Sequence, residues 1–422
     1  MKRVIIVGAG YVGLTLGVAS AKVGYEVLFV DINSDIVSAL NNRKATFYEK
    51  GLQEGLDSYF STKKDIAFSS LHDLYENYEP KQSIFIVSLG TPLGPDSKAL
   101  LLPIEKVTEE VVKWMGAADL LVLRSTVAVG TSRHLLNKIN GLKNISFCPE
   151  RTIEGKALEE LHLLPQVVSG STIEARDLAA EYFERITPTV LHAETLETAE
   201  LIKLASNTFR DLNFAYSNLL ALIANEHKVN VNELIKLSNF RYERNTIAFP
   251  GLVGGPCLEK DAYILAQSYP RIESNFILEA RKLNEDMVMQ AIKFIAVECR
   301  DANSTVLICG AAFKGRPVTS DTRGSFVFAI IDGLKAANIK KNNIHVLDPV
   351  VQNVGSDVKV INHIDELNEK YDFMIQLTNH ELFEDPKFDT FIDNAVSHVI
   401  SFWPRKKPTK RQQKSLYLGG TN

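Results

Sequence analysis

Short apolar runs and stretches of helical periodicity alternate along this chain. Arg3-Val4-Ile5-Ile6-Val7 is too short for a helix and reads as a buried strand. A helix is expected over about 14–23, closed by Gly24, and Glu26 to Val30 reads as a second strand ending at Asp31. Further strands are expected at Ser83 to Ser88, Leu120 to Arg124 and Ile145 to Cys148, each followed by turn formers. From Glu194 to about Asn225 the period is helical and no proline interrupts it. Leu201, Leu204, Ala205 and Phe209 recur at helical spacing and are expected in the core, while Lys203, Asn207 and Asp211 share one face, ordinarily a helix's wet side. A helix over about 231–238 follows, with no clear strand before about Val297. A second α/β pattern starts after Ser304: strand Thr305 to Gly310, helix Ser325 to Ala337, strands Ile344 to Leu347 and Phe373 to Leu377.

The expected architecture is α/β: two Rossmann-like parallel-sheet domains joined by a long-helix, all-α dimerisation segment. The boundaries are 1–193, 194–300 and 301–422. A long apolar helix between two α/β lobes must bury its face somewhere, and a second copy of the chain is the expected partner. The length of 422 residues suits two or three domains at about 150 residues each.

Composition changes this picture little. The chain is 45% hydrophobic and 23% charged with net charge −4, so nothing overall argues for nucleic acid. The basic cluster Arg405 to Lys414 reads as a solvated loop. Four cysteines (148, 257, 299, 309) without C-x-x-C spacing argue against a metal site and for a reducing compartment. Lys2-Arg3 before an apolar run imitates a signal peptide, but Gly8, Gly10, Gly13 and Thr15 interrupt it, and no apolar span approaches the ~20 residues that cross a bilayer. A cytoplasmic protein, off the membrane, is expected.

Those glycines have a better use. Gly8-Ala9-Gly10-Tyr11-Val12-Gly13 lies between a strand and a helix, and Asp31 ends the next strand eighteen residues past Gly13. This is the dinucleotide-binding order: glycines for the tight turn and close approach of a pyrophosphate, then an acid for the ribose hydroxyls. An acid at that position repels a 2′-phosphate, favouring NAD over NADP. Thr91, Ser125, Thr126 and Glu150 all fall at strand ends, where ligands of an open parallel sheet sit. Turn chemistry competes for the Ser and Thr positions, and a surface ion pair competes for Glu150.

The stretch Gly251-Leu252-Val253-Gly254-Gly255-Pro256-Cys257-Leu258-Glu259-Lys260-Asp261 can hold a cysteine at a bend open to a ligand, with Lys260 favouring the thiolate. In the second lobe, which has no G-x-G-x-x-G, Lys314, Arg316 and Arg323 gather near a strand end and suit a second diphosphate. A nicotinamide fold that only turned alcohol into ketone would need no thiol. A thiolate becomes useful when an aldehyde must go on to an acid through a thiohemiacetal and a thioester. The expected reaction is a four-electron oxidation with two NAD per turnover. A nucleotide-sugar-binding protein without turnover, and a two-electron 2-hydroxy-acid dehydrogenase, are the competing readings.

At these residues the chain resembles the nucleotide-sugar 6-dehydrogenases, the UDP-glucose and UDP-N-acetylmannosamine dehydrogenase group. The resemblance rests on GAGYVG at 8–13, GTP at 90–92, STV at 125–127, CPER at 148–151, KLASNTFRD at 203–211, GGPCLEKD at 254–261, AFK at 312–314 and DTRGS at 321–325. It implies Cys257 as nucleophile, Lys203 and Asn207 at the developing oxyanion, and Asp261 assisting base chemistry or holding Lys203. Thr126 and Glu150 would position a catalytic water. Glu154, Lys260 and Arg323 would face the cofactor. Phe313, Lys314 and the backbone from Phe249 through Gly251 to Gly254 would meet the uridine diphosphate. A homodimer is implied, with Arg241 or Arg244 crossing to the partner's sugar. CPERTIEGKALEEL and NTFRDLNFA look like the N-acetylmannosamine branch, because the glucose enzymes tend to lack arginines where Arg151 and Arg210 stand. UDP-N-acetylglucosamine is the nearest rival substrate and UDP-glucose the next. The resemblance thus implies an aminouronic acid made for a surface polysaccharide.

Overall fold

A computed structural model describes residues 3–61, 65–271, 275–299, 301–355, 358–403 and 412–414. Its chain divides into two compact units. One is Met1–Ser206 with Tyr263–Pro270, the other Asn207–Ala262 with Arg271–Asn422.

The first unit runs β1 (Arg3–Val7), α1 (Tyr11–Lys22), β2 (Glu26–Val30), α2 (Ser34–Asn41), α3 (Leu52–Phe60), β3 (Ala67–Phe68), α4 (Leu71–Asn77), β4 (Ser83–Val87), α5 (Leu102–Val112), β5 (Leu120–Leu123), α6 (Thr131–Lys138), β6 (Ile145–Phe147), α7 (Ala157–Leu163), β7 (Gln166–Val168), α8 (Ile173–Glu184) and β8 (Val190–His192), and ends within α9 (Leu196–Glu226). Its main sheet is parallel with order β3-β2-β1-β4-β5-β6, the doubly wound order whose direction switches between β1 and β4. Alternate residues of β1 feed two cores, Val4 and Ile6 one side, Ile5 and Val7 the other. A sheet buried on both faces needs continuous apolar strands, which is why these were legible as unbroken runs. Helix α1 begins at Tyr11, earlier than its spacing predicts, because Gly13 belongs to the first turn. A Cβ on Gly13 would lie 2.0 Å from the Gly8 carbonyl oxygen, so only glycine lets the helix start this close to the strand.

The second unit takes the rest of α9, then α10 (Val231–Asn239), the start of α11 (Leu258–Gln267, which passes to the first unit at Tyr263), α12 (Asn275–Glu298), β9 (Val306–Cys309), α13 (Val327–Ala336), β10 (Ile344–Leu347), β11 (Lys359–Ile361), β12 (Tyr371–Gln376), α14 (Pro386–Ala395), β13 (Val396–Ser401) and β14 (Gln412–Lys414). Its sheet is also parallel, ordered β11-β10-β9-β12-β13-β14. Met287, Ala291 and Ile295 of α12 pack with Val306, Ile308 and Ile375 in its core. The C-terminal basic cluster is not simply a loop: 412–414 is a strand paired with β13, while 405–411 lies outside the described residues.

Helix α9 corrects the expected burial. Leu204 is buried, but Leu201 and Phe209 are 44% and 68% exposed and Ala205 is exposed too. The buried side is mixed: Lys203, Asn207, Asp211 and, further along, Asn218 lie on it among Leu196, Ala199, Leu204, Ala215 and Ala221.

Candidate active site

In the first unit the residues expected to meet NAD line the C-terminal ends of the parallel strands. Gly8 turns at φ +95, and Gly10, the N-cap of α1, would have nothing within 4 Å of a Cβ. No side chain caps that helix, so its first-turn N–H groups are unclaimed by a cap. Tyr11 is placed differently from its glycine neighbours: its hydroxyl meets the buried Glu49 carboxylate and accepts from the Gly155 N–H at 2.7 Å. Val12 is the next residue of the same turn. Asp31 ends β2, its oxygens accepting from Ala9 N (2.8 Å) and Asn33 N (2.9 Å), one each, with a lone pair left on both. Ile32 beside it is 96% exposed. Open glycine backbone, an uncapped helix start, a carboxylate with acceptor capacity and an exposed apolar neighbour fit the pyrophosphate, ribose and adenine of a dinucleotide.

Further along the same edge, the buried Thr91 hydroxyl donates to the Thr126 carbonyl at 2.6 Å, joining the ends of β4 and β5. The Ser125 hydroxyl is buried without a hydrogen-bond partner. Glu150 is not a surface ion pair with Arg151. It is buried and paired with Arg124, whose Nε lies 2.9 Å from Oε2, while its Oε1 accepts from Thr152 N at 2.7 Å. Arg124 also donates to the Cys148 carbonyl (3.1 Å) and Gln166 Oε1 (3.0 Å). Burial pushes the Glu150 carboxyl up, but the Arg124 and Lys203 charges and the Thr152 hydrogen bonds outweigh it and hold it below the usual carboxylate range. It is therefore an anion at neutral pH, suited to accept a proton or orient water rather than to donate one. Lys203 Nζ donates to the Glu150 backbone carbonyl. Glu154 sits in the turn before α7, and Arg151 is exposed.

In the second unit the thiol of Cys257 is exposed, at the residue preceding α11, whose first turn closes on its carbonyl through Asp261 N at 3.0 Å. The other three cysteines are buried. Asp261 is fully buried: Oδ2 accepts from Asn207 Nδ2 at 2.6 Å and Oδ1 from Lys260 Nζ at 2.9 Å. Lys260 is thus paired with a carboxylate rather than standing as an isolated cation beside the sulfur. Gly255, at φ +95, lies under the Phe313 ring, where a Cβ would come within 2.5 Å of Cδ2, and a Cβ on Gly254 would come within 2.4 Å of the Gly324 carbonyl. The glycines allow the cysteine loop to press onto the segment after β9.

The expected basic cluster is less concentrated than its sequence suggests. Arg323 is 65% exposed and gripped by Asp321, Arg316 pairs with Glu384 at 3.0 Å, and Lys314 Nζ lies 5.2 Å from the Phe313 ring centroid. Arg210, Arg241, Arg244 and Phe249 are exposed, Gly251 is buried, and Arg241 holds a left-handed φ of 53 over the Phe240 ring.

Sequence reasoning missed the residues that hold the loop. Arg281 of α12 is 1% exposed and donates to Asp211 Oδ1 (2.7 Å) and the Val253 carbonyl (3.1 Å). Asn284 donates to Asp211, and Asn218 hydrogen-bonds both Gly251 N (2.9 Å) and Gly251 O (3.1 Å). A buried arginine is rare enough to have been a signal only once its burial is known.

Among the described residues no group of His, Cys, Asp and Glu could hold a metal ion, and no helix is long and apolar enough to cross a membrane. Against known proteins, the chain matches three domains of the UDP-glucose/GDP-mannose dehydrogenase family: the NAD binding domain over 2–187, the central domain over 197–286 and the UDP binding domain over 307–402. It is 29% identical over 415 residues to a UDP-N-acetyl-D-mannosamine dehydrogenase of Pyrococcus horikoshii, covering 94% of each chain. It is 29% identical over 412 residues to a protein of the same name from Methanococcus aeolicus, covering 95% of this chain and 89% of the other. The solved UDP-D-ManNAc dehydrogenase of P. horikoshii superimposes with a TM-score of 0.83 at 26% identity, over 99% of this chain and 100% of that one. With a dinucleotide turn on one sheet, a second parallel sheet behind a cysteine loop, and every one of the family's three domains matched in order, the chain belongs to the UDP-glucose/GDP-mannose dehydrogenase family and is an NAD-dependent UDP-sugar dehydrogenase.

Proposed function

We propose that the chain oxidises the C6 alcohol of a UDP-N-acetylhexosamine, UDP-N-acetyl-D-mannosamine first among them, to the uronic acid in two steps through Cys257. The observation that carries this reading is one exposed thiol at a helix start, among three buried ones, in a chain with an NAD binding domain. The partial positive charge of a helix N-terminus favours an anionic sulfur.

Residues 8–13 and Asp31 would hold NAD, with Thr91, Ser125, Thr126, Glu154, Lys260 and Arg323 also assigned to it, and the bound cofactor would supply the hydride acceptor for both oxidations. The first converts the C6 alcohol to an aldehyde, its hydroxyl proton leaving to a base. The thiolate of Cys257 then adds to the aldehyde carbon, giving a thiohemiacetal whose oxyanion is stabilised by Lys203 and Asn207. Loss of the second hydride gives a thioester, and water cleaves it to carboxylate and thiol. Glu150 and Thr126 are assigned to that water. The lowered Glu150 carboxyl stays ionised and can orient that water as a hydrogen-bond acceptor, and Asp261 holds Asn207 in place. Phe249, Gly251, Gly254, Phe313 and Lys314 are assigned to the uridine diphosphate. Arg151 and Arg210 are assigned to the sugar.

The mannosamine form is favoured by the relatives, several of which carry that name at 27–29% identity. Fold alone does not choose: a UDP-glucose dehydrogenase of Pyrobaculum islandicum also superimposes at 0.83, at 23% identity. A panel of UDP-N-acetylmannosamine, UDP-N-acetylglucosamine and UDP-glucose, followed by NADH absorbance, tests the reading. Two NADH per sugar are expected, and one would remove the thioester step. Cys257→Ser should stall; full turnover would remove Cys257 from the reaction.

We further propose a three-part organisation at 1–193, 194–300 and 301–422, and a homodimer built on α9. Phe209, Leu212, Tyr216, Leu219 and Ile223 alternate three- and four-residue steps, and Phe209, Tyr216, Leu219 and Ile223 are 68%, 52%, 43% and 48% exposed. Such a seam suits a second copy. Arg241 or Arg244 would reach the partner's sugar. Four cysteines outside any disulfide suit the cytoplasm, and a surface polysaccharide is the product's proposed use.

A further inference from the structure

The fifteen residues from Asn245 to Glu259 hold the nucleophile, and most of them lie outside helix and strand. Such a stretch has backbone donors and acceptors that need partners, and each partner fixes the loop's path. Asn213 and Asn239 hold its first residues, at Thr246, Ile247 and Ala248, and nearer the cysteine buried side chains of α9 and α12 take over. The Asn218 amide accepts from Gly251 N at 2.9 Å and donates to Gly251 O at 3.1 Å. The Arg281 guanidinium takes the Val253 carbonyl at 3.1 Å and, more weakly, the Leu258 carbonyl at 3.5 Å. These two carbonyls bracket Cys257, four residues before it and one after it. The grips are tied to each other. Asp211 Oδ1 accepts from Arg281 at 2.7 Å and from Asn284 at 2.9 Å, and the Asn284 oxygen accepts from Asn218 at 2.9 Å. Asn218, Asn284, Asp211 and Arg281 are each 0–1% exposed.

We propose that Arg281 and Asn284 of α12 are positioning residues for the Cys257 thiol, acting with Asp211 and Asn218 as one rigid clamp on the loop. This rests on the reading of Cys257 as the nucleophile. A planar guanidinium fork fixes the directions of its acceptors in a way a lysine ammonium does not. Arg281 Nε makes no hydrogen bond and lies 3.3 Å from Glu285 Oε1, but the terminal guanidinium nitrogens and the Asn218 and Asn284 amides are all paired within the network, and a slip would unpair those donors in the interior. The clamp therefore sets where the sulfur stands, while the glycines only make that path possible.

The test uses the full-length protein and iodoacetamide. Site-resolved mass spectrometry gives the labelling rate of Cys257 against pH; the buried thiols of Cys148, Cys299 and Cys309 serve as internal controls. The variants are Arg281→Lys and Asn218→Ala; the second removes the grip on Gly251 together with the tie to Asn284, leaves the Arg281 grips in place, and serves if the first does not fold. Loss of positioning should lower kcat about tenfold or more with KM within about threefold, and change the Cys257 labelling rate at least about threefold. Melting curves that shift while labelling and kcat stay within about twofold would make the cluster plain core and overturn the clamp. The reading beneath it fails separately. If Cys257→Ser turns over like the parent chain, the thiol is not the nucleophile, whatever the labelling rates show about the loop.

Discussion

Gly255→Ala tests the packing of the cysteine loop without touching a proposed reacting group. Two costs apply. The residue sits at φ +95, where an L side chain costs about 1–2 kcal/mol. Its new Cβ would lie 2.5 Å from Phe313 Cδ2 and 2.8 Å from Cε2, and relieving such overpacking costs about 1–3 kcal/mol. The expected loss is the sum, about 2–5 kcal/mol, nearer the lower end because the Phe313 ring is only partly buried and can shift. The two tryptophans make the measurement local. Trp114 lies in the first unit and Trp403 in the second, where its indole N–H donates to the Leu377 carbonyl at 2.8 Å. In a Trp114→Phe background, urea unfolding followed by fluorescence reports the second unit. Adding Phe313→Leu should recover about 1–3 kcal/mol, the packing part, and leave about 1–2 kcal/mol of backbone strain. A loss under about 0.5 kcal/mol would refute the clash. Full recovery would refute the strain, and no recovery would show that the ring is not the obstacle.

Other outcomes follow from the two units. The native Glu150 carboxyl is held below its unfolded value of 4.5, so its contribution is present above that value and lost as pH falls through the native one. Glu150→Gln should be less stable at neutral pH yet lose less as pH falls below 4.5, read by circular dichroism; an unchanged acid slope would show that the carboxyl is not tuned by Arg124. Asp31→Ala should weaken NADH binding about tenfold in a fluorescence titration and narrow the preference over NADPH, and equal affinities before and after would remove Asp31 from the ribose. Phe209→Asp with Ile223→Asp should give a monomer by sedimentation velocity at a concentration where the parent chain is dimeric. A parent chain that is already monomeric sinks the α9 seam.

Local segments were legible because their physics is local. The strand, glycine turn, helix, strand and acid of residues 3–31 need only neighbours in sequence, and the structure differs there by three residues at the start of α1. The two-residue β3 and the three-residue β7 and β8 were missed because so few residues carry no period. The short polar face of α9 was seen, and its burial was misjudged. Spacing tells which residues share a side, but not which side meets protein.

The amino-acid order by itself determined the dinucleotide turn, the two parallel-sheet lobes, the long helix and the loop that carries Cys257, because each is written in contiguous propensity and period. Tertiary structure alone decided that α9 turns Lys203, Asn207, Asp211 and Asn218 inward and leaves Phe209 and Tyr216 in the open. It alone paired Glu150 with Arg124, 26 residues away, and Asp211 with Arg281, 70 residues away. A buried charge is tolerated only where a partner arrives from elsewhere in the chain, and no window of sequence contains that partner.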